Sequence, residues 1–382
     1  MKRWKRFSVF CFVAALATKS PATAYAGSPE FARTAEEWAG LKDNVMEYGE
    51  LADLIHEYNV TVQKNQLDIG DKKKDSRITS DENAQYYRDA AIDYRSAITG
   101  DDPISDAQNA VGASTADVQA DRNVEDIQVY QMAYDQEEAN LVAKAQSSMI
   151  FYFEQQYKLK SAKDSLEYLQ AVYETTQVKL NAGTGTQMEV LSAKKSLQDT
   201  NTSIEKMTAS MEETKQVLCI MLGWKYDDNP DIKELPSMDR GTIGAMNLET
   251  DKERALENNY SLKINKRKLE NASAGITRET LRRTIANNEQ NISTDLVKSY
   301  QSVLLTKSTF DQAEVDLEIE KKNMDTMERK YQIGSASKLE YLRQKNMYNE
   351  KETALKTAEL ALFEAIQNYE NGVNGLASAG GE

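Results

Sequence analysis

The chain has 382 residues, with 47 Lys and Arg against 61 Asp and Glu and a formal net charge of −14. That excess of anions excludes nucleic acid as a partner. A content of 5 prolines with 28% charged residues describes a long helical protein rather than a strand-rich one, and a single histidine with two cysteines leaves no zinc cluster or disulfide framework to build.

The N-terminus reads as a secretory signal peptide over 1–26. Lys2, Arg3, Lys5 and Arg6 precede an apolar run from Phe7 to Ala17, and Ala24-Tyr25-Ala26 offers a small-residue cleavage site. The apolar run is too short to be a permanent membrane span, and no later stretch approaches the ~20 apolar residues a transmembrane helix needs. Cys11 lies inside that run with no lipobox before it, and reads as an ordinary signal residue. Removing the signal leaves a mature chain near −19, with Cys219 as its one thiol.

The mature chain divides into a first helical repeat over 27–225, a connector over 226–252, a second repeat over 253–375 and a disordered tail over 376–382. The segment "HEYNVTVQKNQL" (56–67) opens the first copy and resembles "ENNYSLKINKRKL" (257–269), which opens the second, with Leu67 matched to Leu269. A polar insert at about 70–125 then lengthens the first copy only. Its Gly, Pro, Asp and Asn turn signals, without an alternating apolar run, predict short helices and loop. The connector, with two of the five prolines, is expected to wrap around the outside of the helical body. In the second copy the pattern from Leu262 to Ile333 predicts one unbroken helix of about 70 residues, ~100 Å long.

Placing Gly183 on Gly334 aligns "KLNAGTGTQMEVLSA" with "KYQIGSASKLEYLRQ" without a gap. After the glycine, Val190, Leu197, Ile204, Met211 and Leu218 recur every seven residues, opposite Tyr341, Tyr348, Leu355, Leu362 and Tyr369. Before it, Leu159, Leu166, Tyr173 and Leu180 match Phe310, Leu317, Met324 and Tyr331. Each copy is therefore a long helical hairpin with coiled-coil packing, an all-α fold in tandem repeat. At each tip a glycine takes the left-handed turn, and Thr186 or Ser337 caps the returning helix, with Glu189 or Glu340 completing a capping box.

These residues resemble the TolC family of efflux and secretion channels. The likeness lies in the duplicated hairpin, the glycine tips followed by small hydroxyl and acidic residues, and the "LCIMLGW" ending of the first copy, and it spans about 50–375. It implies a TolC-like α-barrel: a homotrimer forming a tapered helical tunnel, with a membrane-fusion-type adaptor and an ABC or other inner-membrane transporter as partners. By position it implies that Gly183, Thr184, Gly334 and Ser335 form adaptor-docking tips, and that Glu340, with Glu189 as its counterpart, lines the tunnel aperture, against the plainer alternative of capping alone. The family carries two strands per copy that build an outer-membrane barrel. Here the second copy has no room for them, so little or no β-barrel is expected from this chain. Either the tunnel runs through the wall of a cell without a conventional outer membrane, or another chain supplies the barrel.

Enzyme chemistry is not expected. His56 stands alone on a helical stretch, "NAGTGTQ" lacks the Gly-Lys-Ser/Thr ending of a phosphate loop, and the seven-residue tyrosines read as packing. No cofactor or metal is implied. Two functions remain: an exported, envelope-located conduit that passes cargo passively, and a non-transport coiled-coil scaffold or spacer of the envelope.

Overall fold

The computed structural model describes residues 40–380, except Lys42, Asp239 and Ala274. The signal peptide and Cys11 lie outside the described residues. Helices α1 (Leu51–Tyr58) and α2 (Val60–Lys74) are followed by α3 (Ser80–Ser96), α4 (Pro103–Arg122), α5 (Ile127–Asn181) and α6 (Gln187–Met221). The connector holds α7 (Gly241–Ala245) and runs into the second copy through α8 (Leu248–Asn258), followed by α9 (Tyr260–Asn271), α10 (Gly275–Gln332) and α11 (Lys338–Asn371). The strands among the described residues are β1 (Val45–Met46) and β2 (Asp231–Ile232), a two-residue parallel pair that ties the start of the first copy to the connector. No described helix is long and apolar enough to cross a membrane.

The expected hairpins are present: α5 returns as α6 and α10 as α11. At 55 and 58 residues, α5 and α10 are each more than ~80 Å long. They hold because several shorter helices cover them: α6, α11, α9, α2 and α1 pack on α5, and α11, α9 and α8 pack on α10. The seven-residue positions Val190, Leu218, Phe310, Leu362 and Tyr369 are buried, while most of the others are half-buried between two helices. Helix α11 also packs on α5, with Lys345 Nζ 3.2 Å from Glu167 Oε2. Both tips therefore point to the same end of the bundle.

The other end holds the two apolar cores, one per copy. Leu51, Leu54, Ile55, Met149, Phe153, Leu218 and Leu222 pack in the first. Leu262, Ile292, Leu296, Leu362, Ile366 and Tyr369 pack in the second. In both copies the entering helices are kinked at an asparagine in extended backbone: Asn59 between α1 and α2, Asn259 between α8 and α9. Because these two residues do the same work, the copies align Asn59 on Asn259. Leu67 then falls on Arg267, two residues from the Leu269 match suggested by sequence.

Three further expectations change. The unbroken helix from Leu262 to Ile333 is interrupted at Ala272 and Ser273: Ala272 is extended and buried, and Arg278 turns back to donate to the carbonyls of Leu269 (3.4 Å) and Ala272 (2.8 Å), closing the end of α9. The tail expected to be disordered is ordered through Gly380. Ser378 N donates to Asp295 Oδ2 at 2.8 Å, and Asn288 and Asn291 donate to the Ala379 carbonyl. The insert is more regular than expected. Residues 70–74 continue α2, and the remainder forms a helical hairpin, α3–α4, whose helices pack chiefly on each other.

The connector does run across the outside. Leu235 packs on the first core, and Arg240 spans to Glu314 (2.6 Å) with its guanidinium over the Phe310 ring.

Candidate functional site: the hairpin tips

Each tip is built by the same local chemistry. Gly183 and Gly334 sit at φ +73° and +74°, with open space where a Cβ would be, so backbone conformation rather than crowding selects glycine there. The following amides fold back onto the end of the outgoing helix. Thr184 N and Gly185 N donate to the Lys179 carbonyl at 2.9 and 3.0 Å, and Ser335 N and Ala336 N to the Lys330 carbonyl at 2.8 and 3.2 Å. The hydroxyls of Thr184 and Ser335 donate to these same carbonyls, at 3.2 and 3.0 Å. These two residues thus cap the outgoing helix ends, a role the sequence reasoning did not give them.

The returning helices open on full capping boxes. Glu189 N donates to Thr186 Oγ1 at 3.2 Å while the Glu189 carboxylate accepts from Thr186 N at 2.6 Å. Ser337 and Glu340 repeat this at 3.2 and 2.8 Å. The backbone amide of Thr186 or Ser337, followed by its hydroxyl, holds each carboxyl below the usual glutamate range. Glu189 and Glu340 are therefore ionised, exposed and fixed in direction, as a cap requires and as a ring of aperture charges would also require.

Sequence reasoning passed over the apolar side chains around the turns. Met188, Leu191, Val178 and Ile333 are all exposed, beside the charged Lys179, Arg329 and Lys330. They stand off the seven-residue pattern, and that departure was the available signal. In the second tip Tyr331 stacks on Tyr341, with centroids 4.7 Å apart and planes at 19°, fastening the two helices just below the turn. Gly185 has a separate constraint: a Cβ there would lie 2.8 Å from that of Lys179.

Away from the tips, His56 Nδ1 lies 2.7 Å from Glu138 Oε1, and that hydrogen bond raises its pKa. No group of three or more metal-ligating side chains occurs among the described residues. Cys219 is buried against the first core with its thiol toward the Asp228 carbonyl, and burial raises its pKa, as expected of an inert thiol.

No protein-family model and no curated protein matches the chain. Solved structures do. A membrane protein from Pseudomonas aeruginosa is 11% identical, with 95% of this chain and 97% of that one covered at a TM-score of 0.57. The outer-membrane channel OprN is 14% identical, with 96% and 98% covered at 0.51. The Campylobacter jejuni CmeC outer membrane channel is 11% identical, with 91% and 89% covered at 0.51. At such identities the likeness is one of fold, and over nearly its whole length this chain has the fold of TolC-like outer membrane channels.

Proposed function

We propose that this chain is one protomer of a TolC-like tunnel, a homotrimer through which cargo crosses the cell envelope passively while an adaptor and an energised inner-membrane transporter supply the drive. The observation that carries this reading is the pair of long hairpins ending in matched glycine turns at one end of a fold shared with outer membrane channels. Long two-helix hairpins with half-buried seams need neighbours, and a closed ring of three chains supplies them.

In this reading Gly183 with Thr184 and Gly334 with Ser335 are the adaptor-facing turns, rigid because their hydrogen bonds are met internally. Glu340, with Glu189 as its counterpart, lines the aperture. Three fixed Glu340 carboxylates around an axis would favour cations and resist mutual approach until screened. The chain works outside the cytoplasm, in the envelope, after cleavage at 26.

Where the family resemblance places barrel strands, the first copy holds the α3–α4 hairpin and the second the break at Ala272 and Ser273. A bilayer contact of the tunnel would be made by other means than strands from these two segments.

Light scattering and negative-stain imaging of the purified chain, with and without a candidate adaptor, test the proposal. A hollow trimer whose adaptor binding is lost in Gly183→Trp with Gly334→Trp is expected. A compact monomer, or a filled rod indifferent to these changes, would overturn the tunnel in favour of a scaffold.

A further inference from the structure

Among the described residues, the α3–α4 hairpin packs chiefly on itself. Its interior is thin: Ala84 and Ala91 of α3 meet Ala113, Ala116 and Ala120 of α4, and the Tyr94 ring lies against Gly112 so closely that a Cβ there would sit 2.9 Å from it. Asn123 Nδ2 closes its base by donating to the Ser80 carbonyl (2.7 Å), and just beyond that base the body reaches the chain, Lys268 to Glu125 (3.1 Å) and Asn271 Nδ2 to the Val124 carbonyl (3.0 Å). Beyond that base it leaves large side chains uncovered. Ile104 is 72% exposed, and Val111 and Val118 follow on the same face at seven-residue spacing. A two-helix unit with an alanine interior is marginal alone, so this face calls for cover.

Charge identifies the cover. Residues 79–122 carry nine acidic and three basic side chains, a net of −6. The acids nearest the stripe are already engaged inside the hairpin: Asp106 accepts from the amides of Thr99 and Gly100, and Asp117 pairs with Arg95. The stripe itself is thus apolar, set in an acidic surround. The shoulder of the second copy, residues 263–283, is its complement, with seven basic and two acidic side chains. After Glu125, Asp126 and Glu289 are set against Lys268, Arg267 and Lys266, it still holds an excess of two positive charges. At its crest Ile276 is 85% exposed, with Arg282 and Arg283 exposed on the following turns of α10. Within one chain the hairpin covers none of this crest by any extended packing.

We infer that the α3–α4 hairpin of one copy docks on the α9–α10 shoulder of the next copy of this chain, its Ile104–Val111–Val118 stripe against Ile276 and its acidic surround against Arg282 and Arg283. At 20 residues α4 is ~30 Å long, enough to cross about three helices spaced 8–10 Å apart. A cationic crest and an apolar stripe in an acidic surround on every copy make a head-to-tail contact, the kind that builds a ring where the rotation closes. The docking rests on self-assembly and goes beyond the tunnel reading, since it does not depend on cargo, adaptor or transporter.

The test mixes two populations of the full chain, both carrying Cys11→Ser and Cys219→Ser, one with Val111→Cys and the other with Ile276→Cys and a mass tag. Under mild oxidation the mixed disulfide adduct is expected at least about tenfold above the Val111→Cys homodimer, and it should fall severalfold in Arg282→Glu with Arg283→Glu or at high salt. Dominance of the Val111→Cys homodimer would overturn the inference by showing that hairpins meet each other. Loss of the adduct with recovery of the hairpin in zwitterionic vesicles would overturn it by showing a lipid cover. Light scattering on the same samples separates the two readings: an assembled oligomer without the adduct sinks the docking alone, and a helical monomer sinks both. Far-ultraviolet circular dichroism confirms that each variant is folded.

Discussion

Asn59 and Asn259 make the same kink in the two copies and bind the same part of the chain that closes each hairpin. Asn59 Nδ2 donates to the Met221 carbonyl at the end of α6, at 3.0 Å, and Asn259 Nδ2 donates to the carbonyls of Gly375 and Ala377 beyond α11, at 3.1 and 2.7 Å. Each side-chain oxygen meanwhile caps the following helix, accepting from Thr61 N in one copy and Leu262 N in the other. One buried amide per copy thus joins the kinked entry to the hairpin's end.

Replacing either asparagine by alanine removes a cap and orphans buried carbonyls. A loss of about 1–3 kcal/mol is expected for each, larger for Asn259→Ala because two carbonyls lose their donor. Asn259→Asp keeps the cap acceptor but turns a buried carboxylate oxygen toward the Gly375 and Ala377 carbonyls, and should be at least as destabilising as Asn259→Ala. Urea midpoints at constant slope measure the order, and an Asn59→Ala variant less stable than Asn259→Ala would contradict it.

The glycines differ in what they tolerate. At Gly223, φ is +82° and an added Cβ would stand 2.3 Å from Cβ of Tyr58, so Gly223→Ala combines backbone strain with a core clash, about 3 kcal/mol in all. Gly183→Ala meets open space and carries only the strain of its positive φ, about 1 kcal/mol. Thermal melts of the two variants should separate clearly, and equal shifts would mean that the Tyr58 contact relaxes freely.

The tip carboxyls predict a pH dependence with a definite sign. The folded pKa values of Glu189 and Glu340 are depressed, so their contribution is present above the ordinary glutamate range and lost as pH falls through the lower folded values. Amide protection factors at 184–190 and 335–341, corrected for the intrinsic slowing of exchange in acid, should fall on acidification, and Glu189→Gln with Glu340→Gln should abolish that fall. An unchanged fall in the double variant would remove the carboxylates from the account.

His56 carries the opposite sign. Its hydrogen bond to Glu138 raises the folded pKa above the unfolded value, with burial acting against it. The stabilisation is full below the unfolded pKa and disappears as pH rises through the folded one. A proton-NMR titration should place the imidazole above its ordinary value, and Glu138→Gln should lower it. A His56 that titrates at or below the ordinary value would show that burial outweighs the pair.

The hairpins, their tips and their capping boxes could be read from the chain because each depends on residues within a few turns of one another. A glycine in left-handed backbone, a hydroxyl before the first turn and a seven-residue apolar recurrence act locally, so Gly183, Gly334, Thr186, Ser337 and the Val190 and Tyr341 series marked them without knowledge of the rest. Only the tertiary structure decided the other features, because their causes are distant in sequence. Ala272 and Ser273 contain nothing that forbids helix; Arg278 reaching back, and Asn271 bonding to Val124, hold the break. Residues 376–380 have the composition of a tail, yet Asn259, Asn288 and Asp295 supply their polar partners from 80 to 120 positions away. The polar insert, too, became a hairpin through Ala-on-Ala packing between α3 and α4, a contact whose weak periodicity left no mark in the sequence. The sequence by itself determined where the chain turns and which face of each helix seeks a partner, since both are short-range matters of backbone freedom and apolar spacing. Which partners meet was settled by long-range contacts.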